Sequence, residues 1–195
     1  MSSDLSGAEW LASASPFPRS VSALWSARPQ VPLPLPCGSV FDVISAPPLF
    51  GRRMLDVMWA TGPGSGPVAR DRGRVLFFAE PGTARRLPAL LGWEEWQARR
   101  TAGTAGRAEP IPPLLAYGPG DLVSVPAPPQ PGEPGDEEGG WLVSPGPGRP
   151  WLPGPDALLR AAVRTVRAGR EPGRGPSISG HRVAGAKVYD VSRRR

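Results

Sequence analysis

Cysteine, histidine, lysine and long apolar runs are nearly missing from this 195-residue chain, and each shortage narrows what it can do. Cys37 is the only cysteine, so neither an intramolecular disulfide nor a cysteine-based metal cluster is available. His181, the only histidine, lies in an aperiodic stretch, where a catalytic or ligand role is not expected. Lys187 stands alone against 22 arginines, a bias that with the Ala, Gly and Pro excess has the look of a GC-rich genome. No apolar run approaches membrane-spanning length, and no basic segment followed by an apolar one resembles a secretory signal. Residence in the cytoplasm, with no membrane partner, is the resulting expectation.

Glycine and proline are abundant instead. The 25 Gly and 28 Pro together approach the share at which loop-rich structure becomes the default, while 39% hydrophobic residues and seven tryptophans argue for a folded body. The expectation is one domain over residues 1–168, with long Pro/Gly-rich loops, followed by a basic disordered tail over 169–195. Charge follows that division. Residues 167–195 hold eight basic against two acidic side chains, which is the whole net charge of +6, and residues 1–166 balance at 15 of each sign. Association with nucleic acid is therefore expected to be weak, salt-sensitive and centred on the tail.

Regular apolar patterning concentrates in residues 37–81. Residues 38–44 (GSVFDVI) place Val40, Phe41, Val43 and Ile44 between turn residues and predict a buried strand with Asp42 in its middle. A carboxylate there is expensive to bury without an arginine, a metal or amide donors. Residues 49–59 set Leu49, Phe50, Met54, Val57 and Met58 at helical spacing and predict a helix closed by Gly62. Two further apolar runs, 66–69 and 74–79, flank the turn 70–73 and complete a β-α-ββ unit. Arg70, Arg72 and Arg74 flank that turn, and they are the body residues that would meet phosphate. The glycines of 62–67 (GPGSGP) read as a plain turn, because Pro63 and Pro67 remove two amide donors and no lysine follows.

Outside this unit the predicted elements are shorter. Asp4 is a cap candidate for a first helix that includes Trp10 and Leu11, and a second helix over 20–28 sets Val21, Leu24 and Trp25 on one side. Residues 29–36, rich in proline, predict a polyproline-like connector or a groove ligand. Thr83 would cap a helix over 84–91 broken or bent by Pro88, with a separate helix opening at 93–96 (WEEW), whose tryptophans pack inward. Short strands are expected at 114–117, 122–125 and 141–143, and an acidic disordered excursion at 127–140. Residues 155–168 form the clearest helix: Leu158, Leu159, Ala162, Val163 and Val166 make the buried stripe, and Arg160, Arg164 and Arg167 an outer basic ridge.

In order, residues 38–44, the following helix, 66–69 (GPVA), 73–78 (GRVLFF) and 139–145 (GGWLVSP) resemble the core of the bifunctional DNA primase/polymerase amino-terminal domain, an archaeo-eukaryotic primase-like family. The chain also looks like small stand-alone actinobacterial proteins near that family, with 93–96 and 151–155 (WLPGP) as shared landmarks. The resemblance implies an α+β fold with a small, mainly antiparallel sheet and packed helices, and nucleotidyl transfer supported by Mg²⁺ or Mn²⁺. In the family the first strand carries two metal-holding acids one residue apart; here Asp42 stands in the first place and Ile44 in the second. The position matching the family's triphosphate-binding histidine is Val75. Two-metal displacement needs hard oxygen ligands on both ions, so an intact polymerase is not expected.

The reading is thus a degenerate primase/polymerase-like domain that binds nucleotide or nucleic acid in a replication-linked role. Asp42 is the sole catalytic candidate, with Asp121 and the acids of 133–138 as the only residues that could complete a site. The nucleic-acid candidates are Arg70, Arg72, Arg74, Arg160, Arg164 and Arg167. The alternative is a scaffold or regulatory module that contacts a protein partner through its Pro-rich segments and basic tail. The surroundings of Asp42 discriminate: a second carboxylate in a cleft favours metal chemistry, whereas amides or an arginine make it structural.

Overall fold

The computed structural model describes residues 6–29, 31–101, 110–128 and 140–169. The Asp4 cap, the 133–138 acids, His181 and the basic tail beyond Gly169 lie outside the described residues. In chain order the elements are α1 (Gly7–Ala12), α2 (Pro18–Ala27), β1 (Leu33–Pro36), β2 (Asp42–Ala46), α3 (Pro48–Thr61), β3 (Val68–Asp71), β4 (Arg74–Ala79), α4 (Thr83–Thr101), β5 (Leu115–Tyr117), β6 (Leu122–Val125), β7 (Trp141–Val143) and α5 (Pro155–Gly169). The fold is α+β. Five strands form an antiparallel sheet in the order β5-β2-β4-β3-β7, and β1 and β6 form a separate antiparallel pair.

The period of two along β4 shows how the layers are built. Leu76 and Phe78 face Trp10, Phe41 and Trp141, in a core that also takes Val21 and Trp25 of α2, Leu35 of β1 and Val123 of β6. Val75, Phe77 and Ala79 face the other way, onto Met54 of α3, Leu87 of α4 and Leu158 of α5. The central sheet is therefore buried on both faces, which is why β2 and β4 read as nearly continuous apolar runs rather than alternating ones. Among the helices, α5 packs against both α3 and α4 and lies between them.

The β-α-ββ unit forms as expected, with one shift that matters. Residues 38–40 form a bend, with Gly38 at φ 101° and its amide donating to the Phe41 carbonyl at 2.8 Å. Asp42 is thus the first residue of β2, not its middle. The β3–β4 connection has Arg72 and Gly73 at φ 46° and 73°, the two positive values that a tight hairpin turn with the right twist requires.

Proline misleads in two places. Residues 33–36 are a paired strand and not a free polyproline segment: Leu33 aligns with Val125 and Leu35 with Val123. Pro34 and Pro36 fall at one parity, while Cys37, at the parity of the leucines, donates its amide to the Asp121 carbonyl at 3.0 Å. The missing proline amides therefore fall on the outward side of an edge strand, where none is needed. Pro88 lies inside one continuous helix, α4, instead of ending it. The cost of the lost bond is offset by the anchoring of Leu87, which is fully buried, and Leu91 beside it. Smaller corrections follow from packing. Ser6, with Glu9, makes the capping box of α1. In α2, Val21 and Trp25 are buried but Leu24 is exposed, and Leu49 of α3 is exposed as well. The buried stripe of α5 runs through Leu158, Ala161, Ala162 and Thr165, with Leu159, Val163 and Val166 half-buried.

Candidate functional site

Asp42 is fully buried. As the first residue of β2 it shares the sheet face of Ile44 and Ala46, the face that α4 covers, and it meets the start of that helix. Its Oδ2 accepts a hydrogen bond from the Ala84 amide at 2.9 Å, and the amides of Gly82 and Thr83 also favour its charge. The first amides of a helix have no partner within it and carry its positive end, so a carboxylate supplied from β2 caps α4 across 42 residues of sequence. Gly118 closes the pocket: a Cβ at this position would stand 2.9 Å from the Ala84 Cβ and 3.8 Å from Asp42 Oδ1. The turn that holds Gly118 is tied by Asp121, whose Oδ2 accepts from the Gly118 amide and whose own amide donates to the Gly118 carbonyl, each at 2.9 Å.

The electrostatics of this pocket are acidic. Burial pushes the Asp42 carboxyl above its ordinary value, the three amides pull it down, and the charge of Asp121 raises it further. Burial, with Asp42 and Asp121 nearby, pushes the Cys37 thiol up to about 12, so it stays protonated in the folded protein. Asp42 Oδ1 and Thr83 Oγ1 have no hydrogen-bond partner. Asp42 binds its proton more tightly folded than unfolded, so its contribution favours folding below the ordinary aspartate value of 3.8 and is lost as pH rises through the raised folded value. Asp42→Asn, which keeps the acceptor and removes the titration, should flatten that part of the profile. The expected result is that the variant gains stability relative to wild type between acid and neutral pH in urea melts at stepped pH.

The donor set does not fit the metal ions implied by the primase resemblance. Asp42 offers one carboxylate, whose Oδ2 is engaged at the start of a helix whose positive end opposes a cation. Asp121 is exposed and engaged with its own turn. Among the described residues no three His, Cys, Asp or Glu side chains form a metal-holding group.

The arginine candidates separate into two sets. Arg70, Arg72 and Arg74 do not converge. Arg74 is tied down, its Nε donating to Ser45 Oγ at 2.6 Å and its Nη2 to the Ser45 carbonyl at 2.9 Å. Arg70 pairs with Val75 and so shares the opposite, helical face of the sheet, while Arg72 occupies the exposed turn. Arg160, Arg164 and Arg167 are all exposed along α5, as the expected ridge.

That ridge belongs to a larger surface invisible in the linear charge count. Helices α3, α4 and α5 carry nine arginines (Arg52, Arg53, Arg85, Arg86, Arg99, Arg100 and the three of α5), every one exposed, against four carboxylates, a net +5. The other described residues carry six arginines against five acids, a net +1. Among the described residues only Arg99 has a carboxylate within ion-pair distance, Glu95 at 3.3 Å. Trp93 and Trp96, expected in the core, are 57% and 43% exposed on the outside of α4, and Trp59 is exposed on α3. The phase of α4 explains this. Thr83, Leu87 and Leu91 point inward at i, i+4 and i+8, which places residues 93 and 96 on the far side. Reading a break at Pro88 discards that phase; carrying it through would have found them.

A largely apolar groove of about 260 Å³ lies between α4 and β5, which is an edge strand among the described residues; Leu87, Leu91, Ile111, Leu114 and Ala116 line it together with Glu95. Among the described residues no helix is long and apolar enough to cross a membrane. No protein-family model, curated protein or solved structure matches this chain.

Proposed function

We propose that this chain is a non-catalytic nucleic-acid-binding domain of primase/polymerase-like character, with the outer surface of its helical layer as the binding face. The observation that carries the reading is the segregation of charge: +5 on three adjacent helices against +1 on the other described residues. Exposed guanidiniums on neighbouring helices suit a polyanion, whose counterions they displace. The capping geometry of Asp42 supports the non-catalytic half, since a carboxylate buried against helix amides is not free to hold a reacting metal. The replication-linked role rests on the resemblance of residues 38–44, 66–69 and 73–78.

The test is a triple charge reversal, Arg160→Glu, Arg164→Glu and Arg167→Glu, in the full chain with its basic tail in place. Fluorescence anisotropy with a labelled oligonucleotide should show affinity falling on the order of 10- to 100-fold at low salt, and the slope of log K against log salt shrinking by about three. Unchanged affinity and slope would exclude the helical layer.

The groove between α4 and β5 supports a second reading, a protein-interaction module, because an apolar cleft beside a strand that is at the sheet edge among the described residues suits an extended peptide. On that reading the charge reversals leave partner binding intact and Leu91→Glu abolishes it.

A further inference from the structure

We infer that the exposed tryptophans of α4 form a base-stacking platform, which makes the helical layer selective for single-stranded over double-stranded nucleic acid. The inference rests on the nucleic-acid reading above and names its substrate class. Arg86, Trp93 and Arg100 recur every seven residues, and Trp96 adjoins them one turn on, so all four share one stripe of α4 facing away from Leu87 and Leu91. The two indoles contact each other at a centroid distance of 4.9 Å and 35° between planes, and the Arg100 guanidinium lies 4.6 Å from the Trp96 ring centre. Those contacts hold the rings against one another on the surface while much of both indoles stays in water, Trp93 57% and Trp96 43% exposed.

Two large aromatic surfaces held in solvent represent unrealised burial, which a ligand with flat apolar faces recovers. Charge identifies the ligand. The stripe is bounded by Arg86 and Arg100, and the neighbouring helix α5 presents Arg160, Arg164 and Arg167. A single strand offers phosphates to the guanidiniums and bases to the indoles together, whereas a duplex keeps its base faces stacked inside and satisfies only the arginines. An apolar protein surface would leave these cations desolvated and unpaired, so it is the less suited occupant.

The experiment uses the full chain with two probes of equal length, an oligothymidylate of about 16 nucleotides and a duplex, at one fixed low salt. Variants are the double change Trp93→Ala and Trp96→Ala, and the double change to Phe, which retains flat rings. Both positions are exposed, and alanine is a strong helix former, so folding is retained, as circular dichroism would verify. The expected result is tighter binding of the single strand and quenching of intrinsic tryptophan fluorescence by it. The alanine pair should lose single-strand affinity on the order of 10- to 100-fold and most of the quench, with duplex affinity within about twofold of wild type and substantial rescue by the phenylalanine pair. Equal affinity for both probes, unaltered by the alanine pair, would overturn the platform while leaving the arginine surface standing. No binding of either probe would overturn both. An alanine pair that keeps single-strand affinity but changes self-association in gel filtration would assign the tryptophans to a protein contact instead.

Discussion

Asp42→Ala should lower the free energy of unfolding by about 2–3 kcal/mol at neutral pH, measured in urea or guanidinium melts. The figure follows from what the carboxylate does. It is fully buried and accepts from Ala84 at the start of a 19-residue helix. Losing a helix cap costs about 0.5–2 kcal/mol, and leaving a buried amide unsatisfied costs about 1–3 kcal/mol; the two overlap because they concern the same donors. Alanine also leaves a void beside Thr83 Oγ1, which is already without a partner, and Gly118 cannot close it without moving the turn held by Asp121. Asp42→Asn keeps an acceptor at the same place and removes the buried titration, so at neutral pH it should match or exceed wild type. A metal-holding aspartate would behave differently: its removal would leave the metal-free protein equally stable or more so, and the asparagine would be as damaging to activity as the alanine. The ordering Asp ≫ Asn ≈ Ala in activity with equal stabilities would therefore end the capping account.

What could be read from the chain and what could not divides along physical lines. The β-α-ββ unit was legible because each of its elements advertises itself over fewer than fifteen residues: apolar runs for β2 and β4, spacing for α3, an Arg-Gly turn at residues 72 and 73. The α5 ridge was legible for the same reason. The antiparallel α+β class follows from those local signals. Asp42 was flagged by its chemistry alone, since a carboxylate amid Phe41, Val43 and Ile44 demands a partner. The partner itself was not legible. The amides that take it up belong to residues 82–84, and only the docking of α4 on β2 brings them there.

Two losses come from treating proline as a full stop. In β1 the ring falls on the side of an edge strand that makes no ladder bond, and in α4 it follows a residue already held in the core. Both exceptions depend on tertiary neighbours that a local rule does not see. The α4 case had a further consequence, because the helix phase across Pro88 is what turns Trp93 and Trp96 outward. The basic layer was hidden differently. Summing charge along residues 1–166 mixes exposed arginines on helices with acids of other segments, such as 133–138, and the cancellation is arithmetic rather than spatial.

Phe78→Ala should be the more damaging change, lowering unfolding free energy by about 3–5 kcal/mol, as large buried aromatics do when truncated. Phe78 is fully buried, with its ring 4.9 Å from Phe41, 5.2 Å from Trp141 and 6.3 Å from Trp10. It is the one ring of that cluster in contact with all three others, so its loss removes two edge contacts and one tilted contact, each worth about 0.5–1.5 kcal/mol, in addition to buried area. Against a total stability of about 5–15 kcal/mol the remainder is small, and the midpoint of thermal unfolding should fall steeply. The cluster faces α1, α2 and the β1–β6 pair, on the side of the sheet away from α3, α4 and α5. Below its lowered midpoint the variant should therefore bind oligonucleotide as tightly as wild type, while Trp10 and Trp141 emit at longer wavelength. Phe77→Ala, one residue away but directed into the helical core, should disturb both stability and binding. If Phe78→Ala abolished binding in protein that circular dichroism shows to be folded, the separation of a supporting layer from a binding layer would not hold, and the arginine surface would have to be sought across the sheet.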